Sequence, residues 1–258
     1  MPPKEAPRRR RRNRSKLPLN LILFELAELT APLPHTDPRA EHILNVLRRQ
    51  IGEAFDVGLI DGPLGKGTIA AISATALTVT YTWGPLPPPP DPITLLLGLP
   101  RPQTARDILR DATTLGVGAI HFVATERSDP NYAAATLWSS GEWRRHCLAG
   151  AAQAFATRLP AVTSNHTLAT ALAALPAAAT QRLALDNYEA TCPLSECHII
   201  GDTSVVLALG PERGWGPADR AELRAHGFTL VHLGSRVLRS ETAVVAALTL
   251  VRAQLGLL

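Results

Sequence analysis

The chain has 258 residues, 46% of them hydrophobic and 19% charged, a balance that excludes an intrinsically disordered protein and leaves enough apolar material for a core. No stretch approaches the about 20 consecutive apolar residues that cross a bilayer, and Cys147, Cys192 and Cys197 are too few and too irregular for a disulfide framework, which fits a reducing, cytoplasmic interior. The net charge of +4 is unevenly placed: Lys4, Arg8 to Arg12, Arg14 and Lys16 face only Glu5 in the first sixteen residues, so that segment carries +7 and the remainder −3.

In chain order, residues 1–18 read as a basic, disordered tail. Two readings of it stand side by side, a phosphate-neutralising arm and a plain solvated extension. The following LPLNLILFELAEL is broken by Asn20, Glu25 and Glu28 and has no small-residue cleavage site, so it is not a secretory signal. Residues 19–84 read as a small β-rich domain. Asn20 to Phe24 is its first strand, and Asp37 with Pro38 opens a helix that runs to Arg49 with Ile43, Leu44 and Leu47 on one face. Glu53 to Ile60, Gly67 to Ser73 and Ala76 to Trp83 follow as strands. Asp61 to Thr68 contains a Gly-Lys pair, but Ile60 stands where a phosphate loop needs its first glycine and Gly67 where it needs Ser or Thr, so the stretch is a hairpin turn.

The prolines of Pro85 to Pro90 must be extended and stiff, and residues 85–92 are taken as a linker. From residue 93 to 258 strands and helices alternate, which predicts an α/β domain with a parallel sheet and helices on both faces. Its elements are Ile93 to Leu97, a helix from Thr104 to Leu115 with Thr104 and Asp107 as a capping box, and a strand from Gly118 to Val123. A helix from Glu142 to Thr157, capped after Ser139, precedes Arg182 to Asp186, read as the fourth strand. Cys192, Cys197 and His198 form one cluster without a second ligand pair, and a loop with buried thiols is expected there, not a metal. Val205 to Leu209 then ends in Gly210, a short helix runs from Pro217 towards Gly227, and the strand Phe228 to Leu233 breaks at Gly234 into a long C-terminal helix. Two glycine-marked loops thus leave the carboxyl ends of two strands, the edge of an open α/β sheet where ligands bind.

GPERGWGPADRAEL followed by LGSRVLRSETA resembles the paired signatures GPEGG(F/L)S and L(G/S)xR(I/V)LRTETA of the RsmE-type RNA methyltransferases, which belong to the SPOUT superfamily. HILNVLRRQIGEAFDV is similar to the HILxVLRxxxGDxxxV of the same family, and the Thr125-Glu126-Arg127-Ser128 that ends the second strand matches its TERS. The resemblance implies a PUA-like β-barrel before a trefoil-knotted domain, and a homodimer joined through helices, for which Ala243, Ala246, Ala247, Leu250 and Val251 supply a close-packing face. It implies S-adenosylmethionine as the cofactor and N3 of a uridine in small-subunit (16S) ribosomal RNA as the target.

Carried over position by position, Leu185, Leu209, Gly210, Pro211, Gly214, Leu233, Gly234, Arg236, Leu238 and Ser240 are the expected cofactor contacts. Glu212, Arg127 and Arg239 are the candidates for organising the target base. Arg14, Lys16, His42, Arg48 and Arg49 are the candidates for touching RNA. Replacing Gly234 by valine is expected to crowd the cofactor out.

The chain departs from the family at several positions. Arg213 replaces a glycine, Ser240 a threonine, Ala152-Gln153-Ala154-Phe155-Ala156 stands where the family has EQSGR, and Asp111 and Thr114 replace a lysine and a glutamate. The alternative these changes leave open is an RNA-binding or assembly protein that keeps the fold with weakened activity, or a methyltransferase for another RNA base.

Overall fold

The chain's first buried run, Leu21 to Phe24, carries four apolar residues in a row, a pattern that needs protein on both sides. The computed structural model describes residues 21–175, 180–199 and 203–258; the expected tail with Arg14 and Lys16, and Asn20, lie outside them. Strand β1 (Ile22–Phe24) pairs in parallel with β3 (Ala54–Leu59), which continues antiparallel through β4 (Leu64–Ile72) and β5 (Ala76–Trp83) to the short β2 (Leu33–Pro34). Phe55, Val57, Ile69 and Leu77 alternate inwards and meet Ile22, Phe24 and Ile43 in one core. Only the first part of the expected Asp61 to Thr68 turn is one, with Asp61 at φ 56° and Leu59 N–H donating to the Pro63 carbonyl (3.0 Å), and the Gly65-Lys66 pair itself lies on β4. The strand after it starts at Leu64, three residues earlier than the alternation suggested.

The helix expected from Asp37 to Arg49 is shorter and changes type. Asp37 caps it by accepting from Arg39 N–H (2.8 Å), α1 covers Pro38–Glu41, and a π turn follows over His42–Val46, with Leu47 N–H reaching back to the His42 carbonyl (2.9 Å). Arg39 holds this corner together. Its guanidinium donates to Glu28 (2.7 Å), Asp37 (2.7 Å) and the Leu23 carbonyl (3.1 Å), and lies 4.8 Å from the centre of the Phe24 ring. Hydrogen bonds from Arg39 hold the carboxyls of Glu28 and Asp37 below their ordinary range. Depressed carboxylates contribute stability above their unfolded pKa and lose it as pH falls through the folded value. Arg39→Met is therefore expected to raise the acid-unfolding midpoint; a circular-dichroism titration between pH 6 and about pH 2 reads it, and an unmoved midpoint would contradict the role given to Arg39.

The second sheet is built from β6 (Asp91–Gly98), β7 (Val117–Ala124), β8 (Ala161–Thr167), β9 (Thr180–Leu185), β10 (Cys192–Pro193), β11 (Ser204–Leu209) and β12 (Thr229–His232). All seven are parallel, in the order β10-β12-β9-β11-β6-β7-β8. Successive residues of the inner strands point into different layers. Leu95, Leu97 and Leu207 face the helices α2 (Pro102–Thr114), α4 (Glu142–Ala154) and α7 (Ser240–Gln254), while Leu96, Val206 and Ala208 face α5 (Leu168–Ala173) and α6 (Pro217–Ala225). A short α3 (Thr136–Ser139) precedes α4. The expected α/β domain with helices on both faces is thus present.

Several local expectations are corrected. The capping box of Thr104 with Asp107 does not form, because α2 begins earlier, at Arg101 and Pro102, and Asp107 pairs with Arg110 (3.1 Å). Helix α4 starts at Glu142 as expected, but Gly141 is its N-cap, Ser139 does not cap it, and Glu142 is engaged by Arg106 (2.7 Å). That bond holds the Glu142 carboxyl low, at about 2. The helix ends at Ala154, not Thr157, because Phe155 takes a left-handed conformation (φ 55°). On α7, Ala247 and Val251 are fully buried against the chain's own core and cannot serve a dimer face. Of the three thiols only Cys147 is buried; Cys192 and Cys197 are partly exposed, so the loop does not bury them as expected. Burial nonetheless pushes the Cys197 thiol up to about 11. Among the described residues no three His, Cys, Asp or Glu side chains stand together as a metal would need, and no helix is long and apolar enough to cross a membrane.

Candidate functional site

Strands β12, β9 and β11 are neighbours, so three loops leave adjacent carboxyl ends. The two glycine-marked loops of the sequence belong to β11 and β12, which do not touch; β9 lies between them and contributes the third loop. Together they enclose a cleft of about 270 Å³. Leu185 lines it from the first loop, Leu209, Gly210, Pro211 and Gly214 from the second, and Leu233, Arg236, Leu238 and Ser240 from the third.

The loops after β9 and β11 are held in part by bonds to residues far away in the chain. The β9 loop turns on Asp186, whose Oδ1 accepts from the N–H groups of Tyr188 (2.8 Å) and Glu189 (2.6 Å) while Oδ2 accepts from Arg220 Nε (2.7 Å). This ion pair is almost fully buried, at 5% and 1% side-chain exposure, so neither charge can fall back on water. Asp186 N–H donates to the Val231 carbonyl (2.9 Å), tying the turn to β12. The buried Trp215 donates from Nε1 to the Leu185 carbonyl (2.9 Å), tying β9 to the loop after β11. That loop packs directly on β6: a side chain at Gly98 would place its Cβ 2.4 Å from Pro211 Cδ. On its far side Asp219 accepts from Gly216 N–H (2.8 Å) and Glu126 N–H (3.2 Å), and the Glu126 carboxylate accepts from Ala218 N–H (3.1 Å). The end of β7 is thereby clasped to the first turn of α6.

Two expectations about glycines change. Arg213, which stands where the family has glycine, is exposed and is not among the positive-φ residues. Its carbonyl accepts from Arg127 Nη1 (3.0 Å), so the substitution costs the turn no backbone strain. Gly234 is the reverse case. It has φ +102°, and an added Cβ would meet nothing within 4 Å, so a larger residue there strains the backbone instead of crowding the cleft. Gly234 shapes the turn, donating from N–H to His232 Nδ1 (3.0 Å), and does not itself line the cleft. Gly234→Val is expected to weaken cofactor binding by about 10-fold or more through the displaced 233–240 loop; calorimetric titration checks it, and an unchanged affinity would contradict the placement.

The three candidate base-organising residues surround the mouth without forming one cluster. Glu212 borders the cleft and two adjoining recesses, and its Oε1 accepts from Arg101 N–H (3.0 Å). Arg127 lies in one recess with Asp129 and Tyr132, and Arg239 in the other with Arg101 and Thr104. His42 lies in the π turn beside the first sheet, Arg48 and Arg49 just after it, and none of them lines the cleft; His42 instead borders a groove of about 630 Å³ between β1 and α4. The sequence carries no sign of the supporting roles of Asp186, Trp215, Arg220, Asp219, Glu126 and Gly98, since each involves a partner far away in the chain.

Comparison with known proteins shows the family of the chain. The RNA methyltransferase domain family matches residues 87–252. The ribosomal RNA small subunit methyltransferase E of Treponema pallidum is 32% identical, covering 91% of this chain and 91% of its own length. The corresponding protein E 1 of Borreliella burgdorferi is 23% identical over 89% of this chain and 95% of its own. Among solved structures, a ribosomal RNA small subunit methyltransferase E from Neisseria gonorrhoeae bound to S-adenosyl methionine superposes with TM-score 0.70 at 25% identity, covering 90% of this chain and 97% of the other. A probable rRNA-methyltransferase from Porphyromonas gingivalis shares the fold, with TM-score 0.75 at 21% identity over 92% and 99% of the two chains.

Proposed function

The chain belongs to the ribosomal RNA small subunit methyltransferase E family, and from that premise we propose that it methylates N3 of a uridine in small-subunit (16S) ribosomal RNA, with S-adenosylmethionine held in the three-loop cleft. It is an S-adenosylmethionine-dependent ribosomal RNA methyltransferase. The observation that supports the placement is the convergence of Leu185, Leu209, Leu233 and Leu238 with the main chain of residues 209–214 on one cleft at the carboxyl edge. Leucine side chains suit the two faces of a purine, and backbone N–H and C=O groups can read its edge.

The cofactor supplies the methyl group, on a sulfonium that makes it electrophilic. The protein's task is then orientation. Loops pinned by Asp186, Trp215 and Asp219 keep the cleft walls fixed, and holding two reactants in line contributes up to about 7–11 kcal/mol to such a reaction. Arg127 and Arg239 offer cations at the mouth where charge would spread onto the uracil oxygens, and Glu212 is oriented by the Arg101 amide. The target base must be unpaired or flipped to reach them.

We assign the first sheet as the PUA-like RNA-contacting module, with His42, Arg48 and Arg49 on it. The second sheet is read as the trefoil-knotted domain of a cytoplasmic homodimer, its α7 presenting Ala243, Ala246 and Leu250. Small ribosomal subunits lacking the modification, incubated with the protein and radiolabelled methyl donor, should acquire label on one uridine at N3. Label on large-subunit RNA alone, or on protein, would overturn the target. The reading of a binding module without activity loses one of its supports, since Arg213 leaves the loop unstrained.

A further inference from the structure

We propose that Tyr188 is a stacking platform for a nucleobase at the mouth of the cleft, an inference that rests on the methyl-transfer reading above. Tyr188 is 73% exposed, although most large apolar side chains of this domain are buried. Its exposure does not come from a loosely tethered loop. The N–H of Tyr188 is bound by Asp186 (2.8 Å), and Asp186 is locked to Arg220. The Arg220 guanidinium carbon lies 5.2 Å from the centre of the tyrosine ring, and Arg220 is itself almost completely buried, so the cation under the ring is fixed. The ring also reaches across to the neighbouring loop, where a Cβ on Gly214 would sit 3.7 Å from Tyr188 Cε2. An aromatic plane therefore bridges the β9 and β11 loops, supported on one side by protein and largely open to solvent.

The chemistry that recognises such a plane is another flat π system. Base–aromatic stacking tolerates any base, and a ring already held by its neighbours loses little conformational freedom on binding. Two nucleobases come to this cleft in the proposed reaction, the cofactor's adenine and the target pyrimidine. Both fit the shared chemistry, and separate measurements tell them apart.

The test uses the full chain with Tyr188→Phe, Tyr188→Leu and Tyr188→Ala. S-adenosylmethionine affinity is measured by calorimetry, and kcat and KM for unmodified small subunits at saturating cofactor. Phenylalanine should stay within about twofold of the parent in both, whereas leucine and alanine should lose roughly 5- to 100-fold in one of them. A loss in cofactor affinity identifies adenine as the stacked base; a loss in kcat/KM for RNA with cofactor affinity kept identifies the pyrimidine. Melting temperatures should fall by no more than a few degrees, because the ring is exposed and only its contact with Arg220 is lost. Alanine and leucine variants unchanged in both measurements would overturn the proposal, as would a phenylalanine variant damaged as much as alanine. A parent protein that neither binds cofactor nor methylates RNA would refute the enzymatic reading and this inference with it; an active parent with an indifferent alanine variant refutes the inference alone.

Discussion

Asp186→Ala should destabilise the protein by about 3–5 kcal/mol, because it strands the buried Arg220 cation without its partner. The charge cannot escape: of carboxylates, Arg220 keeps Glu189, 3.6 Å away and half exposed, besides the Tyr188 ring. The same substitution frees the N–H groups of Tyr188 and Glu189, so the β9 loop loses its turn as well. In a chain of this length such a loss corresponds to a fall in melting temperature on the order of 10 °C. Asp186→Asn retains an acceptor for the amides and should cost less. A thermal melt in which alanine lowers the transition by less than 2 °C would show that the pair is not the anchor described here.

Gly98→Val should cut S-adenosylmethionine affinity by roughly 10- to 100-fold while leaving the sheet folded. The valine Cβ would fall 2.4 Å from Pro211 Cδ and 2.7 Å from Pro211 N, and the backbone of β6 is clamped between β11 and β7. The 210–215 loop is the part able to yield, and it forms one wall of the cleft. Calorimetry reads the effect directly; an affinity within twofold of the parent would mean that this wall does not touch the cofactor.

Neither residue stands out in the sequence, and the reasons are physical. The glycine-marked loops after β11 and β12 were legible because Gly210, Pro211 and Gly234 advertise turns through their own backbone chemistry. The inner strands were legible because burial on both faces demands uninterrupted apolar runs such as Val205 to Leu209. Strand β8 was not: AVTSNHT pairs on one side only, lies at the sheet's edge and carries polar residues that show no strand alternation. The switch from α1 to a π turn was equally hidden, since side-chain spacing does not report whether a carbonyl is met four or five residues on. Asp186 and Arg220 are 34 residues apart and meet only once β9 and α6 are packed. Gly98 looks like any strand end until the loop 112 residues away folds onto it. The site's lining was thus written locally, and its supports were written in tertiary contacts.

The family's signature residues and the observed cleft coincide in space; of the departures from the family, Arg213 and Ser240 line that cleft, and the others named here fall elsewhere. Ala152 lies near the end of α4, where its carbonyl accepts from the N–H of Leu21, the residue before β1 (3.4 Å). Asp111 pairs with Arg110 (3.0 Å) on the outside of α2. Neither residue lines the three-loop cleft.

Crystals of the protein grown with S-adenosylhomocysteine, the spent form of the cofactor, test the placement most directly. Density for the adenine packed among Leu185, Leu209 and Leu238, with its edge on the main chain of the 209–214 and 233–240 loops, is the expected result. Density at any other position, with these three loops left bare, would contradict it.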